Sequence, residues 1–134
     1  MQQKKNQFQE LLLPLYFFMQ LSRKAYSNYL ENKLFIHACA IRKANKSIYK
    51  LLTDKPSLIP FALQDDCIAL LNHYDIWFAQ FDALKRKKKP QPDDTFVFQQ
   101  LDQFSAFPKA AEMNIFAAYE AMKKEFSIEN GIAE

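Results

Sequence analysis

The stretch LQDDCIALLNHYDIWFAQFDAL, residues 63–84, decides the fold. Its spaced apolar residues Leu63, Cys67, Leu70, Tyr74, Trp77, Phe81 and Leu84 are separated by alternating steps of four and three. That rhythm puts all of them on one stripe of an α-helix, whereas a strand would scatter them over both faces. Leu71 and Phe78 widen the stripe. Asp65 and Asp66 fall in the first turn and Lys85, Arg86, Lys87 and Lys88 at the end, so both termini complement the helix dipole.

The same rhythm recurs on either side. Phe8, Leu12, Leu15, Met19, Ser22, Tyr26 and Tyr29 form one stripe, and Leu34, Ala38, Ile41, Asn45, Ile48 and Leu52 another. Pro14 kinks the first of these helices or marks the first turn of its main segment. Asn28 or Asn32 is placed to cap the second, and Pro56 and Pro60 close it. In the last helix Ile115, Ala118, Met122 and Phe126 point inward, with Phe116 and Tyr119 alongside, and Pro108 suits its first turn. Residues 85–94, KRKKKPQPDD, read as a basic, proline-containing loop. After it, Asp93 or Asp94 is placed to cap a short helix holding Val97, Leu101 and Phe104; an extended TFVFQ segment would have no evident partner. Residues 127–134 read as a frayed tail beyond the last helix. The sum is an all-α chain, residues 1–134 as a single domain: an up-down four-helix bundle with an extra short helix before the last one.

Composition narrows the functional classes. The chain has 134 residues and one glycine, Gly131, where average usage of roughly 7% would give several more. Glycine-rich phosphate loops and dinucleotide-binding turns are thereby excluded. Asn-Gly occurs once, at 130–131 near the end, and Asp-Gly is absent, so hairpin signals are wanting through the body of the chain. Cys39 and Cys67 are too few for a disulfide framework and lack metal-ligand spacing. They read as small apolar residues and point to a reducing, cytoplasmic setting. Lys4 and Lys5 precede the apolar run 11–19, but Glu10 interrupts the junction and no small-x-small site follows, so a signal peptide is not expected. That run is also too short to span a bilayer. The net charge of +3 hides an asymmetry: residues 1–50 carry nine basic and two acidic residues, and the remainder nine basic and thirteen acidic. Facing halves that complement each other account for such a split.

Several side chains carry chemical interest. Asn45 interrupts an apolar repeat, and burying an amide unpaired costs about 1–3 kcal/mol. It therefore needs a partner, for which Tyr26, Tyr74 and His73 are candidates. Its expected role is to fix helix register, the alternative being a small polar pocket. His37 and His73, with Asp66, Asp75 or Glu120, would be needed for a metal site, yet no Glu-x-x-His pattern is present. No cofactor, metal or catalytic residue is assigned. Asn45, His37, His73, Tyr74 and Trp77 remain candidates for a polar core or pocket. The aromatic stripe of Tyr16, Phe17, Phe18, Tyr74, Trp77, Phe78 and Phe81 is expected to be core rather than pocket lining.

The leading functional expectation is a non-catalytic interaction module. Residues 11–19 are apolar around most of the helix, more than one stripe of a bundle absorbs, so a homodimer or a protein partner is expected to cover the excess. The alternative is nucleic-acid or anion binding by Lys85, Arg86, Lys87, Lys88 and Lys89 together with Arg42, Lys43, Lys46 and Lys50. A third reading is a small metal- or ligand-binding enzyme around His37 and His73. No membrane association is expected.

Overall fold

Pro14 shapes the start of the chain. It lacks an N–H, and its ring crowds the carbonyl four residues back. In the computed structural model, which describes residues 2–98 and 107–129, the helical ladder widens there instead of breaking. Helix α1 (Gln2–Gln7) passes into a π-helical turn (Phe8–Leu12), where the Leu13 N–H donates to the Phe8 carbonyl, and then into α2 (Leu13–Asn32). The extra residue in the π-turn lets the neighbours Leu11 and Leu12 both be buried. Helices α3 (Phe35–Asp54), α4 (Gln64–Lys88) and α5 (Lys109–Glu129) follow. The protein is all-α, with no strand among the described residues. Two short 3₁₀ turns, Pro56–Leu58 and Phe61–Leu63, carry the chain from α3 to α4 across Pro56 and Pro60.

Helix α2 packs along α3, α4 along α5, and α3 and α5 also meet α4 and α2 respectively. The main core holds Leu12, Leu15, Met19, Ile48, Leu52, Leu70, Tyr74 and Ile115. A second cluster holds Ala25, Tyr29, Phe35, Ala38, Ile41, Phe81 and Phe96, and Trp77 packs against both. Its indole stacks on Phe81 with ring centres 5.1 Å apart. Each such large side chain taken out of water stabilises the fold by about 1.5–3 kcal/mol.

The α3 stripe is buried as its spacing predicts, from Ala38 to Leu52. Elsewhere the structure corrects the sequence. Neither Asn28 nor Asn32 caps α3, because α2 continues through both. The corner is made by Lys33, which turns left-handed (φ 54°) and donates its N–H to the Tyr29 carbonyl, and by extended Leu34. Lys89 ends α4 in the same way (φ 45°). With no glycine nearby, lysine takes both left-handed positions, a cost of roughly 1–2 kcal/mol each. Helix α4 thus includes Lys85, Arg86, Lys87 and Lys88, and the loop begins four residues later than expected.

The segment after that loop is extended through Phe98, where a short helix with Val97 was expected; Leu101 and Phe104 lie outside the described residues. Its partner is the α2–α3 corner, distant in sequence. Thr95 pairs with Leu34, and the Phe96 N–H donates to the Lys33 carbonyl at 2.8 Å. The Phe35 N–H donates to the Asp94 carbonyl. Asp94 caps no helix; its carboxylate accepts the Gln91 N–H within the loop. The buried Tyr29 hydroxyl donates to the Phe96 carbonyl at 2.7 Å and accepts the Phe98 N–H at 3.3 Å.

The run 11–19 is mostly covered within the chain. Leu11, Leu12, Leu15 and Met19 are buried, and Tyr16 stacks on Tyr119 of α5 with ring centres 4.1 Å apart. Leu13 (43%) and Phe17 (60%) stay exposed, and with Leu21 (46%) just beyond the run they form a narrower row.

The Tyr29 clamp makes a direct prediction. Tyr29→Phe leaves the buried Phe96 carbonyl without its donor and should cost about 1–3 kcal/mol in urea unfolding followed by Trp77 fluorescence. A loss under about 0.5 kcal/mol, the range of ordinary surface changes, would contradict the clamp.

Candidate functional site

A cavity of about 690 Å³ opens between α2, α3, α4 and the start of α5. Helix α2 contributes one face of its turns: Met19, Ser22, Tyr26, Tyr29 and Leu30, with Arg23 and Lys33 beside them. Ile41 and Asn45 project from α3, four residues apart, and His73, Tyr74, Trp77 and Gln80 from α4. The extended segment closes one wall with Val97 and Phe98. Phe107, Lys109 and Glu112 close another. The volume lies within the usual range for small-molecule sites, and Tyr26, Tyr29, Tyr74, Trp77, Phe98 and Phe107 give it aromatic walls between aliphatic and polar side chains.

Polarity is graded from floor to mouth. Asn45, His73 and Tyr74 are buried, whereas Tyr26, Leu30, Arg23, Lys33 and Lys109 are exposed. Asn45 accepts the Ser22 hydroxyl on its Oδ1 at 2.7 Å. Among the described residues no side chain or backbone group accepts from its Nδ2, which leaves that amide available to the cavity. Burial pushes the Tyr74 phenol far above its ordinary value, and the nearby Glu112 carboxylate adds to the effect. The phenol therefore remains a neutral donor. His73 packs edge-on against Phe107 and Tyr74, each with ring centres 5.3 Å away. At the mouth, Arg23 pairs with Glu112 at 2.7 Å and lies over the Phe116 ring.

Four of the five polar candidates in the sequence, Asn45, His73, Tyr74 and Trp77, thus meet on one cavity. His37 does not: it stands on α3 eight residues before Asn45, about 12 Å along the helix axis at 1.5 Å per residue. Among the described residues no group of three or more His, Cys, Asp or Glu is arranged to hold a metal ion. The partner of Asn45 is Ser22, not Tyr26, Tyr74 or His73. A signal for it existed, since Ser22 and Asn45 are the polar interruptions of two adjacent apolar stripes.

The basic candidates fall elsewhere. Lys85, Arg86, Lys87 and Lys88 form the last turn of α4, where cations oppose the negative end of the helix dipole, and Lys89 caps it. Arg42 grips Asp82 through two 3.0 Å hydrogen bonds and lies over the Phe78 ring. Lys46 lies over Phe78 at 4.7 Å, and Lys50 pairs with Asp54 at 2.7 Å. Arg42 is thus engaged with α4, whereas the Lys50–Asp54 pair lies on the exposed face of α3. Both thiols are free, and burial pushes that of Cys67 up to about 11.

Comparison with protein-family models, with curated proteins and with solved structures finds no match for this chain. Among the described residues no helix is long and apolar enough to cross a membrane.

The buried phenol on the cavity floor sets an alkaline prediction. An ordinary phenol ionises near pH 10, while Tyr74 in the folded chain holds its proton to higher pH. Its contribution to stability is complete below about pH 10 and declines as pH rises past that value, because the unfolded chain releases the proton first. Tyr74→Phe should therefore lose less stability than the wild type between about pH 9 and 11 in urea unfolding. Identical alkaline slopes would mean a solvated phenol.

Proposed function

We propose that this protein is a helical small-molecule-binding module, its helices running up and down around the cavity described above. The observation that carries this reading is the convergence of Asn45, His73, Tyr74 and Trp77 on one aromatic-walled cavity of about 690 Å³. Tyr26 at its mouth stays half-exposed instead of packing down over the floor, which leaves the space open to solvent. Flat walls from Tyr26, Tyr29, Trp77, Phe98 and Phe107 favour a planar apolar body, and the polar groups of the floor offer it an orienting hydrogen bond.

The test uses N-phenyl-1-naphthylamine, a planar apolar probe that brightens when shielded from water. Saturable one-to-one binding is expected, accompanied by quenching of Trp77. Tyr26→Ala should weaken it about tenfold, equivalent to 1.4 kcal/mol, with urea stability changed by under about 0.5 kcal/mol. Phe17→Ser should leave it unchanged. No saturable binding, or binding that Phe17→Ser removes and Tyr26→Ala does not, would overturn the reading.

A second reading is self-association. Leu13, Phe17 and Leu21 recur every fourth residue on α2 and are 43%, 60% and 46% exposed, which supports a symmetric apolar contact between two copies. Light scattering at micromolar concentration should then give twice the chain mass of 15.8 kDa, and Phe17→Glu should return the single-chain value. A wild-type chain at 15.8 kDa would rule the dimer out.

A further inference from the structure

The charges around the cavity are unbalanced. Glu112 is the only acidic residue among its described lining residues, against Arg23, Lys33 and Lys109. Arg23 and Glu112 neutralise each other at 2.7 Å, with the Glu112 side chain only 12% exposed. Lys33 and Lys109 enter no ion pair among the described residues, which leaves two positive charges unpaired among the described residues of the mouth.

Their positions follow from the helices. Arg23, Tyr26, Leu30 and Lys33 succeed one another along one face of α2, and at 1.5 Å per residue they span about 15 Å. The mouth is therefore an elongated rim with an apolar middle and a cation near each end. Lys33 at the end of α2 opposes the negative end of the dipole, which is a sufficient structural reason for a cation there. Lys109 has no such reason among the described residues. It is the first residue of α5, where the dipole disfavours a cation, and the acidic residue of that first turn, Glu112, is already bound to Arg23. On the floor, Asn45 and the Tyr74 phenol offer uncharged hydrogen-bond donors, beside His73. An ionic group gains most at the half-buried rim, where screening by water is reduced but desolvation is incomplete.

Resting on the ligand-binding reading above, we propose that the cavity takes planar aromatic monoanions of the carboxylate class, with the ring system between Tyr26 and Trp77 and the carboxylate at one end of the rim, beside Lys33 or beside Lys109. A neutral analogue of the same shape fills the same walls without the charge contact. A cationic analogue meets repulsion from both lysines.

Calorimetric titration at low ionic strength with 2-naphthoate, 2-naphthamide and 2-naphthylmethylammonium tests this. The carboxylate should bind at least about tenfold more tightly than the amide, and the ammonium more weakly than either. In the Lys33→Gln, Lys109→Gln double variant the carboxylate should fall to the affinity of the amide, and the amide should bind as it does to the wild type. Equal or tighter binding of the amide to the wild type overturns the charge preference and leaves the cavity reading standing. A carboxylate preference that survives the double substitution likewise overturns it. If none of the three ligands binds, the cavity reading itself fails, and the charge preference with it.

Discussion

The hydroxyl of Tyr29 is the interaction on which the second core cluster and the extended segment 95–98 depend. It is buried, it donates to the Phe96 carbonyl and it accepts the Phe98 N–H, so it satisfies two backbone groups of a segment that no sheet supports. Together with the Phe96 N–H bond to Lys33 it holds the chain against the α2–α3 corner. Phe96 then fills the second core cluster, packing on Phe35 and Phe81 with ring centres 4.9 and 5.2 Å away. Phe98 reaches Trp77 at 5.5 Å and becomes a wall of the cavity. Backbone groups buried without partners cost free energy comparable to a lost hydrogen bond, so one phenol decides whether this crossing is stable.

The cavity follows from the same aromatic economy. Large flat rings contribute area with few rotatable bonds but tile space less adaptably than leucine or methionine. Where α2, α4 and the extended segment diverge, Tyr26, Trp77 and Phe98 border a space that they do not close. Asn45 on the floor then has two functions that do not compete. Its carbonyl oxygen fixes α3 against α2 through Ser22, the register role expected of a polar residue in an apolar seam. Its amide nitrogen is left to the cavity. Asn45, His73 and Tyr74 are buried at the base, and Arg23, Lys33 and Lys109 lie at the exposed rim.

Much of the fold was legible because helical rhythm is local. The repeat 63–84 and the α3 stripe declare their buried faces within a few turns, and Cys67, Leu70, Tyr74, Ala38, Ile41, Ile48 and Leu52 are buried accordingly. The site was legible in its residues but not in its meaning. Asn45, His73, Tyr74 and Trp77 stand out in the sequence, whereas their convergence depends on how α3 and α4 are rotated against each other. Tyr26 illustrates the limit: it belongs to the α2 stripe and faces inward, yet it remains half-exposed because the space beneath it is the cavity. The extended segment could not be read from its neighbours, since its partners, Tyr29 and Lys33, lie more than sixty residues earlier. The excess apolar surface of residues 11–19 was overestimated for a similar reason. The rings that cover it, Phe116 and Tyr119, belong to the last helix.

The central claim is that the space bounded by Tyr26, Trp77, Asn45 and Tyr74 exists in solution and admits a planar guest. A crystal structure of the protein grown with 2-naphthoate tests it most directly. The account predicts the naphthalene ring between Tyr26 and Trp77, with the Ser22–Asn45 hydrogen bond intact beneath it. A structure in which Tyr26 and Trp77 pack against each other, with the space between them closed and no guest, would contradict it.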